Sequence, residues 1–452
     1  MKQSQQKPAL RTGKELFLFC IPLILSGILQ QLYNWADAFI VGHSVGEEAL
    51  AAVGATSTIT NLFILVITGF TLGLSIYAAY KCGGNEQDEL RRTLSSFLLI
   101  LGLIFLVLSI AGIGLTDFIL TVMNTSEDMF VPASGYLRVI LLGIPVLAVY
   151  NLYSALLRAL NNSKAPFYAV LLSSVLNVTL DIIFVCVLPF GVIGAAAATV
   201  LSQIAMTAFI VLYSIKKYPV LRFTPKEKLI HWETVQNGAR MGCPPAIQSS
   251  VNALGNIALQ SFMNSFGTHT VAAVTTAYRI DSILLLPITN LSSGISTKVA
   301  NSIGRNNQKE ANNYLYSGFL MMIAFSILLT VLMPICGGSL VALFGVGPEA
   351  ADIGKHFFIS ISKFYLFFGM TSALRGYTEG IGKVFVSSMI GILALASRIA
   401  LSYLLAPSLG NMSIAYSEGL QFIFMFALYT IYFFSQKRLS RPKPINVCDI
   451  YP

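Results

Sequence analysis

The sequence predicts an all-α polytopic membrane protein: twelve transmembrane helices in two six-helix lobes related as parallel repeats. Three observations predict it. The first is composition, for 55% of the 452 residues are hydrophobic and only 11% are charged, with a mean hydropathy of +0.72. A soluble domain carries about 25% charged residues. The second is a succession of twelve apolar stretches, each long enough to cross roughly 30 Å of hydrocarbon at ~1.5 Å per residue. The third is self-similarity. A shift of 221 residues lays 46–89 on 267–310 with 15 identities in 44 positions, where chance gives roughly three or four.

The spans run 15–41, 50–80, 94–116, 134–157, 165–188, 191–215, 239–265, 270–303, 311–336, 355–380, 384–406 and 411–435. Those at 50–80 and 270–303 are too long to stand straight along the membrane normal, so they must tilt, bend or project into water. Within the first span, the apolar stretch from Phe17 to Val41 contains one charge, Asp37. Gln30, Asn34 and Asp37 share a helical face, with Tyr33 beside them. A carboxylate in a spanning helix costs roughly 2.5–3.5 kcal/mol, so this stripe should line a polar cavity. Tyr33 and Trp35 are candidate cavity aromatics.

The fifth span carries Asn177 and Asp181 four residues apart on one face, and the sixth carries Thr199 and Gln203 at the same spacing. Asp37 lies five residues before Gly42, Asp181 eight before Pro189 and Thr199 eight after Gly191. All three therefore sit roughly 8–12 Å inside the outer boundary, at the common depth that a single site requires. Two carboxylates close together in a poorly hydrated cavity cannot both stay ionised, so the pair titrates as a unit and can take up a proton at neutral pH. The oxygens of Asn177 and Thr199 would equally suit Na⁺, so the residues leave H⁺ and Na⁺ open.

The second half differs. Position 37 maps by the repeat onto Ala258, and the seventh span offers only the amides Gln248, Asn252, Asn256 and Gln260. Asn252 and Asn256 are candidate cavity residues with Gln30, Tyr33, Asn34 and Gln203. Arg279 and Asp281 lie in the eighth span, Lys363 in the tenth and Arg398 in the eleventh. Similar depths make Asp281 and Arg398 a candidate charge pair, structural first and cavity-lining as the alternative, since lone intramembrane charges are costly. Glu379 is expected at the cytoplasmic interface.

Lys and Arg set the orientation. The even-numbered connections hold Lys81, Arg91, Arg92, Arg158, Lys164, Lys216, Lys217, Arg222, Lys226, Lys228, Lys298, Arg305, Lys309, Arg375 and Lys383, and the C-terminal tail adds Lys437, Arg438, Arg441 and Lys443. The odd-numbered connections carry acids, among them Glu47, Glu48, Asp117 and Glu349. The positive-inside rule places both termini in the cytoplasm. The chain then divides into a tail over 1–14 (with Lys2 and Lys7), an N-lobe over 15–215, a cytoplasmic linker over 216–238 with Pro219 and Pro225, a C-lobe over 239–435 and a tail over 436–452. Six spans in 221 residues give both halves the same orientation, and parallel repeats about an axis along the normal are a transporter architecture with substrate bound between them.

The net charge of +9 is an orientation signal, so no nucleic-acid partner is expected. No cleavable signal peptide is expected either, because the first apolar run is too long. Cys20, Cys82, Cys186, Cys243, Cys336 and Cys448 are too dispersed for a disulfide framework or a zinc site, and no metal site is expected. A primary pump lacks its phosphate loop. A channel lacks its filter or charged ring. An intramembrane enzyme lacks a buried Ser–His or Cys–His pair, so no enzymatic activity is expected.

Several stretches carry a family resemblance: Gln30-Gln31-Leu32-Tyr33-Asn34-x-x-Asp37 with Val41-Gly42; Leu157-Arg158-Ala159-Leu160-Asn161-Asn162-Ser163-Lys164-x-Pro166; Leu176-Asn177-x-x-x-Asp181; Gly194-Ala195-Ala196-x-Ala198-Thr199; Gly242-x-Pro244; Ala272-Ala273; Leu374-Arg375-Gly376; and Gly380-x-Gly382-Lys383. In order and spacing the chain resembles the multidrug and toxic compound extrusion (MATE) family, in its bacterial DinF-like branch, over nearly its whole length. The resemblance implies a two-lobe MATE-like fold and a cation-coupled exporter of amphipathic, often cationic, compounds working by alternating access. It also implies that Asp37, Asn177, Asp181 and Thr199 form the N-lobe cation site. The expected partners are small organic substrates, H⁺ or Na⁺ and the lipid bilayer, with no further cofactor. The expected setting is the bacterial cytoplasmic membrane, with the protein acting as a monomer. A lipid-linked oligosaccharide flippase or a small-metabolite exporter of the same superfamily is the alternative. A flippase for pyrophosphate headgroups would want several cations in the N-lobe, whose interior is acidic and uncharged-polar instead.

Overall fold

Where a helix crosses hydrocarbon, each backbone N–H must find its acceptor within the chain, and almost every described residue here is helical for that reason. The computed structural model describes residues 8–223 and 229–439. Lys2, Lys7, Pro225, Lys226, Lys228, Arg441, Lys443 and Cys448 lie outside the described residues, as do the side chains of Lys437 and Arg438. The helices in the first half are α1 (Pro8–Ser44), α2 (Glu47–Gly83), α3 (Gln87–Gly114), the short α4 (Thr116–Val122), α5 (Glu127–Ala159), α6 (Lys164–Asp181) and α7 (Gly191–Lys217). In the second half they are α8 (Trp232–Asn264), α9 (Thr268–Leu284), α10 (Leu286–Gly304), α11 (Gln308–Ala342), α12 (Pro348–Ile361), α13 (Tyr365–Gly380), α14 (Val384–Leu409) and α15 (Ser413–Leu439).

Nine helical stretches among the described residues are long and apolar enough to cross a membrane, and α9 with α10, bent by 44°, makes a tenth. One of the nine, Val384–Gln436, contains both α14 and α15, which pack side by side. The 33 residues of α8 suffice in length, and its amides keep its hydropathy low. Twelve crossings result. The eighth bends at Leu285, just before Pro287, whose missing N–H breaks the ladder. The second, of comparable length, stays one helix of 37 residues. α1 starts at Pro8, so it already includes residues assigned to the tail.

The chain separates into two contact units. The first unit is Ile21–Ala246, and the second combines the residues up to Cys20 with those from Ile247 onward. In the first unit α5 packs against α2, α3 and α7, and α6 packs on α7. In the second unit α13 packs against α10, α11 and α15, and α12 against α9 and α11. The repeat is thus visible in the packing, since the fourth and tenth crossings each sit against the second and third of their half.

The units differ from lobes cut at the linker because each takes in the leading segment of the other half's first helix. The changeovers fall next to Pro22 in α1 and Pro244–Pro245 in α8. Two repeat-related glycines make the seats. A side chain on Gly73 would run into the Met241 carbonyl, and one on Gly294 into the Cys20 sulfur. Met241 and Cys20 are themselves 221 residues apart, as are the two glycines. Polar contacts hold both segments. Thr234 donates to Glu89 at 2.7 Å and the His231 N–H to Ser96 at 3.0 Å. In the second unit Tyr314 donates to Glu15 at 2.9 Å, and the Thr12 and Ser317 hydroxyls lie 3.3 Å apart.

Candidate functional site

Asp181 ends the α-helical part of the fifth crossing. The next six residues, Ile182–Val187, widen into a π-helix, a distortion that recurs at functional sites. Asp181 is 0% exposed and Asn177, one turn inward, is 1% exposed. Asn177 Nδ2 donates to Thr199 Oγ1 at 3.4 Å, which ties α6 to α7 at this level. Asp37 comes from α1 and is half-buried, with its Oδ1 atom enclosed. It interacts electrostatically with Asp181, and Tyr136 of α5 feels both carboxylates. The same unit holds an apolar cluster of Val41, Ala49, Tyr136, Ile140, Val185, Val192, Ala195 and Ala196, drawn from α1, α2, α5, the π segment and α7. The Ser44 hydroxyl and Cys186 thiol, 3.3 Å apart, join the outer ends of α1 and the π segment. Asp37, Asn177, Asp181 and Thr199 all fall within the first unit.

The hydrogen-bond balance of this cluster is one-sided. Asp37 Oδ1, Asn177 Oδ1 and both carboxylate oxygens of Asp181 are buried with no partner among the described residues. Each unpaired buried polar atom costs about 1–3 kcal/mol, and more when charged. Four acceptors with no donor are a set that a proton or a small hard cation would satisfy, since such cations prefer oxygen ligands.

The other candidate residues spread out. Tyr33 is half-buried within electrostatic reach of Asp37 and Tyr150, while Gln30 and Asn34 are exposed along the same face. Gln203 is half-buried with its side-chain oxygen against Gly143 of α5. Asn252 is half-buried and Asn256 exposed, both on α8 in the second unit. Trp35 departs from expectation, for it shares an exposed face with Leu32 and Phe39 about half a turn from Asp37. Tyr136 is absent from the sequence candidates, although its place nine residues into α5 puts it near the depth of the acids.

In the second unit the expected Asp281–Arg398 pair is replaced by another. Arg398 Nη2 binds Glu418 Oε2 at 2.8 Å and the Tyr278 hydroxyl at 2.6 Å. Asp281 instead accepts from the Tyr365 hydroxyl at 2.6 Å. The partner comes instead from the other arm of the α14–α15 hairpin, 20 residues further along the chain, which a comparison of depths between the eighth and eleventh spans does not consider. Glu379 is also corrected. It is buried within the second unit, not interfacial, and takes hydrogen bonds from Arg375 Nε and Ser387 Oγ, each at 2.8 Å.

A model of the MatE family matches residues 22–183 and 244–404. The chain belongs to the MatE family of membrane transporters. The two matched pieces begin at Pro22 and Pro244, where the units exchange helical segments. Among relatives, the "Probable multidrug resistance protein YpnP" of Bacillus subtilis is 29% identical over 427 residues, which cover 93% of this chain and 94% of that one. The outward-facing conformation of a multidrug resistance MATE family transporter of the MOP superfamily aligns with TM-score 0.87 at 21% identity, covering 97% of this chain and all of that one. The crystal structure of a mutant of the Vibrio cholerae MATE transporter VcmN aligns with TM-score 0.91 at 18% identity, covering 96% of this chain and 99% of that one. The solved structures establish the MatE fold for this chain. The positions of Asp37 and Asp181 in it come from the geometry above.

Proposed function

We propose that this MatE-family protein is a secondary active exporter of amphipathic, often cationic, compounds, driven by exchange for H⁺ or Na⁺. One observation carries the reading: Asp37, Asn177 and Asp181 hold four buried oxygens without a donor among the described residues. The name of the Bacillus relative, a probable multidrug resistance protein, supports the same substrate class. A cation entering from outside would neutralise the Asp37–Asp181 charge. An organic cation needs that same charge, so the two exclude each other, and alternation between the two occupants is antiport. A differential affinity of about 1–3 kcal/mol yields roughly 5–150-fold discrimination.

The setting that fits is a bacterial cytoplasmic membrane, with both termini on the cytoplasmic side and the protein working as a monomer. The test is ethidium efflux from vesicles under an imposed pH or Na⁺ gradient. The native protein should export ethidium under at least one gradient, and Asp37→Asn and Asp181→Asn should each lose that drive. Equal efflux in all three proteins would remove the site assignment.

A further inference from the structure

Arg279, in the eighth crossing, is used neither by the acid site nor by any ion pair among the described residues. α9 buries Thr270, Ala273, Val274, Ala277, Ile280 and Asp281. Its other face carries Thr268, Ala272, Thr275, Arg279 and Ser282 as one stripe at helical spacing. Arg279 is exposed, and its guanidinium has no ion pair or hydrogen bond among the described residues. The nearby acids are engaged elsewhere, Asp281 by Tyr365 and Glu418 by Arg398. Arg279 lines a groove of about 530 Å³ with the polar Asn264, Thr268, Thr275 and the buried Thr276 and the apolar Val271 and Ala272, all within the second unit.

A guanidinium keeps its charge at any physiological pH. Turned to hydrocarbon it would cost roughly 2.5–3.5 kcal/mol on insertion scales, so a span that carries it faces water. The apolar exposed face of α11, with Leu320, Ile327, Leu328, Val331 and Ile335, shows how a lipid-suited surface of the same unit is composed. The amide stripe of α8 leads into the groove: Asn252, Asn256, Gln260 and Asn264 are four residues apart, and Gln260 Nε2 donates to Asn264 Oδ1 at 3.0 Å. The repeat sharpens the contrast. Arg279 corresponds to Thr58 in the first half, and Asp37 to Ala258 in the second. At these positions each half carries a charge where the other has none, and the two charges are of opposite sign.

We propose that this groove of the second unit binds an anionic group, a carboxylate or a phosphate, of the exported compound, with Arg279 as its ion-pair partner and Thr275 and Asn264 beside it. The proposal rests on the exporter reading and narrows its substrates to include zwitterionic and acidic amphipaths. Arg is suited to this role because its planar fork matches both oxyanions.

The test is equilibrium binding to the full-length protein in phosphatidylcholine nanodiscs, using two matched pairs of fluorescent probes. One pair is norfloxacin and its methyl ester, and the other is riboflavin 5′-phosphate and riboflavin. In at least one pair the native protein should prefer the acidic member by roughly tenfold or more, as charge-assisted hydrogen bonds give. Arg279→Gln should bring that ratio near one while ethidium binding stays unchanged, and Arg279→Lys should keep part of it. The same ratio in native and Arg279→Gln proteins, or no preference in either pair, overturns the proposal. Loss of the native preference when phosphatidylglycerol is added would assign the groove to a lipid phosphate and overturn it equally. Gradient-driven ethidium efflux from sealed phosphatidylcholine vesicles that hold the same purified protein separates the two readings. Efflux without a preference sinks this proposal alone, and a preference without efflux sinks the exporter reading.

Discussion

Asp181 and Asn177 show how little a buried residue's surroundings owe to its own sequence neighbours. Their flanking residues are ordinary apolar ones, yet Asn177 reaches across to Thr199, 22 positions away, and Asp181 responds to Asp37 in another helix. Counting residues from the outer boundary is enough to predict Asp37, Asp181 and Thr199 at one level, with Asn177 a turn further in, because rise per residue converts position into depth. It does not tell which neighbour fills the remaining angle, and Tyr136 escapes it. The asymmetry of acceptors makes a prediction that separates the two ions. Asn177→Leu removes an amide oxygen and leaves both carboxylates. Transport driven by Na⁺ should fall about tenfold or more, as the loss of a charge-assisted contact implies, whereas transport driven by H⁺ should keep its rate within a few-fold. Initial ethidium efflux rates under each gradient supply the comparison.

At the level of elements, hairpins and bends decide which charges meet. α14 and α15 run antiparallel through a short break at Gly410–Met412, and this brings Arg398 and Glu418 together at 2.8 Å with side chains only 13% exposed each. Breaking such a pair on one side leaves a buried charge without compensation and costs about 3–5 kcal/mol. Arg398→Gln should therefore lower the thermal unfolding temperature of the purified protein markedly. The exchange Arg398→Glu with Glu418→Arg should recover most of the loss, while an exchange between Arg398 and Asp281 should not. Recovery by the Asp281 exchange would show that the pairing is wrong. The eighth crossing is too long to lie straight, and its length alone reveals that. Its bend at Leu285, when the second crossing of similar length has none, follows from Pro287, which has only Val66 opposite it in the repeat.

For the whole molecule, the internal repeat is the organising fact, and the packing repeats with it. Gly73 and Gly294 seat the exchanged segments at equivalent positions, so both Gly73→Ala and Gly294→Ala should destabilise the protein, by about 1–3 kcal/mol from overpacking at Gly294 and by more at Gly73, where the added carbon meets the Met241 backbone and not a side chain. Unfolding midpoints of the two variants in the same detergent would check this, and a loss confined to one of them would break the equivalence. The distribution of Lys and Arg makes a separate prediction about placement. A fluorescent protein fused at the C-terminus should fold and fluoresce in the cytoplasm, and a periplasmic phosphatase fused there should stay inactive.

Hydrophobic length and the 221-residue repeat were enough to determine twelve crossings in two halves. These are properties of single helices, and one-dimensional spacing encodes them completely. The tertiary structure alone decided who faces whom: Glu418 rather than Asp281 at Arg398, Glu379 buried rather than interfacial, Trp35 on the far side of its helix, and each half holding the other's first segment. Those outcomes depend on the rotation of each helix about its axis and on where proline interrupts it, and burial energy summed over several neighbours sets both.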